Sequence, residues 1–240
     1  MLWPGCAQEV LAPSINAAAI HMLTANGVEV VIPPSLGCCG AIAAHTGALE
    51  QASRLATRAL EVLGRHTDVD GVITTAAGCG SGIHEYPVWL AGSGHEADAV
   101  RLAGRTVDVT VFLARLGLTT PLALEKPARV AYHDACHLLH GQGVREAPRD
   151  LLRAVDGLEL VELDDEACCG SAGTFNLEQP DLAWTLGRRK AERIQALGVS
   201  EVATGNIGCL TQMHAHLAGA SRPVRVRHTV EVLAEACREV

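Results

Sequence analysis

Eight of the nine cysteines fall into two sets with identical spacing. In each set, one cysteine is followed after thirty-one residues by Cys-Cys-Gly and, thirty-eight residues later, by a last cysteine. Adding 130 to the residue numbers of the first set gives the numbers of the second. Four thiolates are what a [4Fe–4S] cluster or an all-cysteine zinc site requires. The two sets are Cys6, Cys38, Cys39 and Cys79, and Cys136, Cys168, Cys169 and Cys209.

The elements that must position these thiols are predicted to be alternating strands and helices. Strands are predicted at 28–32, 70–75, 107–111, 128–132, 159–163, 200–204 and 224–228, and helices at 14–26, 41–64 and 177–197. This alternation predicts an α/β fold of two Rossmann-like halves with mostly parallel sheets, related by internal duplication. The carboxyl ends of parallel strands meet at one edge of a sheet, so the four cysteines of each half are expected to converge there.

The repeat also predicts how the chain is divided. The first cysteine-rich repeat is expected to span residues 1–120 and the second 126–240, because the glycines and prolines of 117–128 are typical of a boundary. A strand is predicted directly before Cys136, but only five residues precede Cys6. The matching strand of the first repeat is therefore predicted to be missing, beginning before Met1.

The residues alone leave three kinds of chemistry open at these thiols. Iron–sulfur binding agrees with the ligand number and with the glycines beside the cysteines, which allow close backbone approach to a cluster. Zinc, in one site or both, needs the same four thiolates, but zinc sites usually contain cysteine pairs separated by two residues. Thiol chemistry without a metal is the third reading. The histidines around Cys136 (His133, His137, His140) and Asp134 could indicate a mixed His/Cys site. They are interpreted instead as loop and helix-surface residues, because the first half has Pro4, Gly5 and Ala7 in this region.

Charge and composition exclude several classes of function. The formal net charge is −8 and no basic cluster is present, so a nucleic-acid partner is not expected. No signal peptide and no apolar run of about 18 residues is visible, so we expect no direct membrane insertion. The expectation is a cytoplasmic protein, at most peripheral to the inner face of the membrane through its partners. No catalytic residue is predicted, since no triad or nucleotide fingerprint occurs.

The duplicated cysteine pattern resembles the cysteine-rich CCG domain family, which is found in the cysteine-rich subunit of heterodisulfide reductase and its relatives. The runs Gly37-Cys38-Cys39-Gly40-Ala41, Cys168 to Thr174, and Asn206-Ile207-Gly208-Cys209 are similar to the C-terminal half of glycolate oxidase iron–sulfur subunits. The run from Gly143 to Pro148 is similar to the short lactate-utilisation iron–sulfur protein. Together these motifs span essentially the whole chain.

The resemblance implies an electron-transfer subunit that is not catalytically complete alone. It implies two [4Fe–4S] clusters, a flavoprotein partner that oxidises a 2-hydroxy acid such as glycolate, and a separate ferredoxin-like protein completing the electron path. Carried over position by position, the implied ligands are the eight cysteines of the two sets. The final cysteine of the heterodisulfide reductase motif is absent after Cys79 and Cys209, which disfavours disulfide reduction. Lactate utilisation, disulfide reduction and a structural zinc module remain the alternatives.

Overall fold

Two parallel β-sheets form the framework of the molecule. The computed structural model describes residues 1–66, 68–164, 166–220 and 222–237. The first sheet has the strand order β1-β2-β3 and the second the order β5-β4-β6-β7, with every pair parallel. This confirms the predicted α/β class with mostly parallel sheets. The strands are β1 (Leu2–Trp3), β2 (Val72–Thr74), β3 (Thr106–Asp108), β4 (Ala123–His133), β5 (Asp156–Glu162), β6 (Glu201–Thr204) and β7 (Arg225–His228).

Helices connect these strands on both sides of each sheet. In the first half they are α1 (Cys6–Leu11), α2 (Ser14–Ala25), α3 (Ala41–His45), α4 (Leu49–Leu63), α5 (Ala77–His84), α6 (Tyr86–Trp89), α7 (Glu96–Arg105) and α8 (Val109–Leu116). In the second half they are α9 (Cys136–Leu139), α10 (Glu146–Arg153), α11 (Phe175–Glu178), α12 (Pro180–Ala196), α13 (Ile207–Leu217) and α14 (Thr229–Ala236). No helix of the described residues is long and apolar enough to cross a bilayer.

The strand register repeats with the same offset as the cysteines. Leu2 pairs with Ile73 in the first sheet, and Tyr132 pairs with Ala203, 130 residues later in each case, in the second. The prediction that the first strand of the first repeat is missing was therefore wrong. Two residues, Leu2 and Trp3, are enough to form the part of the strand that pairs with β2.

Other predicted boundaries shifted for local reasons. Residues 28–32 were wrongly predicted as a strand: Leu2 N–H donates to Val31 O at 2.9 Å, but β1 is too short to extend this pairing into a ladder. The strand predicted at 107–111 ends at Asp108, whose carboxylate accepts from Thr110 N and caps α8. The long helix predicted at 41–64 is broken near Gly47, which has a φ of 85°.

The two halves share one hydrophobic core. Leu2, Ile15 and Leu113 from the first half pack in the same cluster as Tyr132 and Leu233 from the second. Helices α2 and α8 thus lie against α14 and α10, between the two sheets. Separate clusters fill the outer face of each sheet. Burial of this shared apolar surface fixes the two cysteine-bearing edges relative to each other. The division at 120/126 stays a prediction.

Candidate metal centres

The first set of cysteines meets where β1 and β2 end. Cys6 is the first residue of α1, directly after β1, and Cys79 lies in the first turn of α5, after β2. The pair Cys38–Cys39 lies just before α3. Each thiol is within hydrogen-bonding reach of the next, in the order Cys6, Cys38, Cys39, Cys79. The structure therefore brings together all four cysteines of this set.

The second set has the same arrangement at the ends of β4 and β6. Cys136 begins α9 and Cys209 lies in the first turn of α13. The thiols are again in hydrogen-bonding reach in the order Cys136, Cys168, Cys169, Cys209. Cys209 is 2% exposed, whereas its counterpart Cys79 is half-buried. The second site is therefore more enclosed than the first.

Backbone N–H groups and neighbouring thiols stabilise one thiolate at the centre of each set. Hydrogen bonds from Cys39 and Cys6 lower the pKa of Cys38, and the Gly40 N–H adds to this at 3.4 Å from its Sγ. In the second set Cys136 and Cys169 lower the pKa of Cys168 in the same way, together with the Gly170 N–H at 3.3 Å. Thiolates are the form that binds metal.

Two thiols of each set hold their protons more strongly, whereas hydrogen bonds from Cys169 and His133 lower the pKa of Cys209. Hydrogen bonding to Cys38 raises the pKa of Cys6 and, with burial, that of Cys39. Hydrogen bonding to Cys168 does the same for Cys136 and Cys169. A metal group that takes four thiolates must displace these protons, so binding should be stronger at higher pH.

Buried side chains hold the cysteine loops in place. Tyr86 Oη donates to Cys39 O at 2.8 Å inside the first half. In the second half Arg149 forms a buried bidentate ion pair with Asp134, with distances of 2.6 and 2.9 Å, just before Cys136. The sequence interpretation placed Asp134 on the surface, which was wrong because its charge is matched by Arg149. Sequence reasoning also missed Arg149 and Tyr86, since neither lies near a cysteine in the chain.

His133 lies inside the second site. The sequence interpretation made it a surface residue by comparison with Pro4 and Gly5, but the strand register aligns it with Trp3 instead. One of its ring nitrogens and the Sγ atoms of Cys169 and Cys209 lie within 4.8 Å of one another, and all three residues are buried. The identical offset of 130 between the repeats was the signal that could have aligned it correctly.

The other two histidines of this region differ from His133. His140 is exposed, as predicted. His137 is half-buried, with its ring centroid 5.5 Å from that of His45 in the first half. Burial and the neighbouring His45 both lower the pKa of His137. His137 therefore belongs to the contact between the halves.

One residue links the two cysteine sites directly. Asn206 Oδ1 accepts from the N–H of Gly78, the residue before Cys79, at 3.3 Å. Its Nδ2 donates to Cys209 Sγ at 3.8 Å. In the first half Ala76 occupies the equivalent position and can form neither bond. The loops that carry Cys79 and Cys209 are thus in contact, and the contact is asymmetric.

A cavity of about 260 Å³ opens beside the first site. All four thiols of the first set line it, and the second half closes its other side. Side chains from that half include His137, Ser171, Asn206 and Thr211. The first site is therefore reachable from outside, and both halves shape its entrance.

The donor chemistry fits a sulfur-bound metal group in each half. Four thiols converge, at least one of them is held as a thiolate, and a backbone N–H points at the sulfur of Cys38 or Cys168. At the second site the buried ring of His133 forms no hydrogen bond of ordinary geometry and lies within reach of the Cys209 thiol. Iron–sulfur clusters and zinc both accept such donors.

Relatives of this chain share its length to different degrees. The probable glycolate oxidase iron-sulfur subunit of Bacillus subtilis is 33% identical over 97% of this chain and 53% of its own length. The glycolate oxidase iron-sulfur subunit of Escherichia coli is 33% identical over 98% of the chain and 57% of its own length. Lactate utilization protein A of Geobacillus kaustophilus is 30% identical over 97% of both proteins. The chain thus spans little more than half of the two glycolate oxidase subunits.

The cysteine-rich domain (CCG) family matches the chain twice, at residues 1–84 and 130–214. Each match contains one complete set of four cysteines and covers the strands and loops that bring them together. The two matches begin and end at nearly equivalent places of the repeat and together account for most of the sequence. The chain belongs to the cysteine-rich CCG domain family.

Proposed function

We propose that this chain is the iron–sulfur, electron-transfer subunit of a flavin-dependent 2-hydroxy acid oxidase complex of the glycolate type. The observation that carries the proposal is the convergence of two four-thiol sites in one rigid core, joined through Asn206. The names of the relatives, which include two glycolate oxidase iron-sulfur subunits, supply the class of complex. Substrate oxidation itself is assigned to a flavoprotein partner, with a ferredoxin-like protein completing the electron path.

The eight cysteines would hold two [4Fe–4S] clusters, four thiolates to each. When bound, such clusters accept and release single electrons. The protein supplies sulfur ligands from loops that a shared core holds rigid. It also supplies N–H donors from Gly40 and Gly170, which stabilise negative charge on the neighbouring sulfurs. Asn206 keeps the two sites adjacent, and the open cavity leaves the first site accessible to a partner.

Metal analysis of anaerobically purified protein tests this proposal. We expect roughly eight iron and eight acid-labile sulfide per chain. Cys39→Ser and Cys169→Ser should each lower the iron content by about half, because each removes a thiolate from one site. Cys237→Ser is the matched control, since Cys237 has no counterpart in the repeat, and it should leave the iron unchanged. If the protein instead contains zinc and no acid-labile sulfide, the proposal is wrong and the chain is a structural metal-binding module.

The substrate of the complex is tested by reconstitution. When the flavoprotein partner and glycolate are added without oxygen, the clusters in this chain should be reduced and their visible absorbance should fall. The absorbance should fall faster with glycolate than with lactate. A faster fall with lactate would instead support the function named for lactate utilization protein A. Neither substrate should act without the flavoprotein, because no catalytic group for hydroxy acid oxidation is proposed in this chain.

The cavity beside the first site favours a second candidate function. Its volume of about 260 Å³ and its thiol lining could admit a small disulfide. A free-standing reductase would reduce such a disulfide with electrons from an artificial donor in the absence of any flavoprotein. The electron-transfer subunit should show no such turnover, so this assay separates the two functions.

A further inference from the structure

The two halves differ at one position next to their cysteines. Trp3 pairs with Thr74 in the first sheet, and His133 pairs with Thr204 in the second. Each is the last residue of its strand and each is 1% exposed. The same position of the repeat therefore carries an indole in one half and an imidazole in the other.

Neither ring nitrogen of His133 forms a hydrogen bond of ordinary geometry, although the thiol of Cys209 lies within its reach. A buried polar group without a partner is destabilising relative to one that is satisfied. The first half fills the equivalent place with Trp3, whose buried indole N–H also has no hydrogen-bond partner but offers no lone pair to a metal. The unmet hydrogen-bonding capacity of His133 thus points to a ligand.

The neighbours of His133 identify the kind of ligand. The Sγ atoms of Cys169 and Cys209 lie within 4.8 Å of one of its ring nitrogens and of each other. Cys209 already receives a hydrogen bond from Asn206 Nδ2 at 3.8 Å. An imidazole nitrogen and two thiol sulfurs gathered in a buried space are a donor set for a transition metal. No equivalent nitrogen donor faces the first site on β1, where the indole of Trp3 has only an N–H to donate.

We propose that an imidazole nitrogen of His133 binds the metal group of the second site in place of one of its four thiolates. This inference rests on the proposed function and changes one of the eight ligands proposed there, because a four-iron cluster takes four protein ligands. The first site then has sulfur donors alone, and the second has sulfur and nitrogen donors. The two sites are chemically distinct despite the identical spacing of their cysteines.

A neutral imidazole ligand changes the redox behaviour of a cluster in a known direction. Replacing thiolate character by a neutral nitrogen removes negative charge from the iron, which favours the reduced state and raises the potential. We therefore expect His133→Phe to lower the potential of the second cluster or to release it. Trp3→Phe, at the equivalent position, should change neither cluster in this way.

Selective isotope labelling tests ligation without altering the protein. The full chain is prepared with ¹⁵N-histidine, reduced anaerobically, and examined by pulsed electron paramagnetic resonance. We expect a strongly coupled nitrogen whose signal changes from the ¹⁴N to the ¹⁵N pattern. The signal should disappear in His133→Phe. It should persist in His137→Phe, which removes a half-buried histidine near this site, and in Trp3→Phe.

The outcomes separate this inference from the proposed function. Bound iron and sulfide with no strongly coupled histidine nitrogen would overturn the His133 ligand and leave the electron-transfer proposal standing. Loss of the coupling in His137→Phe, with retention in His133→Phe, would also overturn it. Absence of both iron and sulfide would overturn the proposed function, and the ligand with it. The labelled unsubstituted chain gives an answer even if His133→Phe does not fold.

Discussion

Gly170 offers a sharp test of how the second cysteine loop is built. It follows Cys168–Cys169 with a φ of 91°, a backbone conformation that favours glycine. A Cβ atom built on Gly170 would lie 2.6 Å from Ala183 O, in the backbone of α12. Gly40, its counterpart, has a φ of 87° and would place a Cβ 3.2 Å from Ala52 O. Gly170→Ala should therefore be the more damaging substitution.

The expected loss has two parts. Holding a residue with a Cβ at positive φ costs about 1–2 kcal/mol. The new Cβ can reach an ordinary van der Waals distance from Ala183 O only if the loop that carries Gly170 and α12 move apart. Overpacking of this kind costs about 1–3 kcal/mol. The sum of about 2–5 kcal/mol corresponds to a fall in melting temperature of about 4–20 °C for a chain of this size.

Thermal unfolding of anaerobic protein, followed by circular dichroism, measures this loss. Gly173→Ala is the matched control, because Gly173 has a φ of 52° but open space around its Cβ position. It should show only the backbone part of the loss. Iron content should fall at the second site in Gly170→Ala, since the Gly170 N–H reaches Cys168 Sγ. If Gly170→Ala were no less stable than Gly173→Ala, the steric argument would be refuted.

Two further predictions concern buried polar groups. Tyr86→Phe leaves Cys39 O without its hydrogen-bond donor and should lower the free energy of unfolding by about 1–3 kcal/mol. Tyr132→Phe removes a buried hydroxyl that has no hydrogen-bond partner, so it should leave the melting temperature nearly unchanged or raise it. Burial lowers the pKa of His228 to about 4, and its neutral ring caps α14 by accepting from Val230 N. The unfolded chain binds the proton first, so stability is fully present above about pH 6.5 and should fall by up to about 3 kcal/mol as the pH drops to 4. Urea unfolding at several pH values should show this slope, and it should shrink in His228→Asn. An unchanged slope would contradict the assignment.

The sequence was sufficient to predict which thiols come together. The identical spacing of the two sets, with strand-like segments before Cys79, Cys136 and Cys209, placed all eight at the carboxyl edges of parallel sheets. The structure confirms the convergence, because the single cysteines closely follow β1, β2, β4 and β6 and the cysteine pairs lie within reach of them. The spacing of the cysteines and the residue pattern of the strands are local features, so the sequence alone shows them.

Packing between the halves was not predictable in the same way. The two repeats were expected as consecutive units, but α2 and α8 pack against α14 and α10 in a core shared by both halves. Helix amphipathicity shows that a face is buried without showing what covers it. The strand predicted at 28–32 failed for a related reason, because its partner β1 is only two residues long. A β-branched run has strand propensity, but a ladder needs a neighbour of matching length.

The environment of each site is determined by contacts that cannot be inferred from the spacing of the cysteines. The repeat preserves the four thiols and the glycine after each cysteine pair, and these set the number and type of ligands. It does not preserve the residues around them: Trp3 faces one site and His133 the other, and Asn206 replaces Ala76. Cluster potential depends on hydrogen bonds, burial and ligand type more than on the count of cysteines. Two sites with the same sulfur donors are therefore expected to differ in potential, and the side chains at these unmatched positions are where that difference must arise.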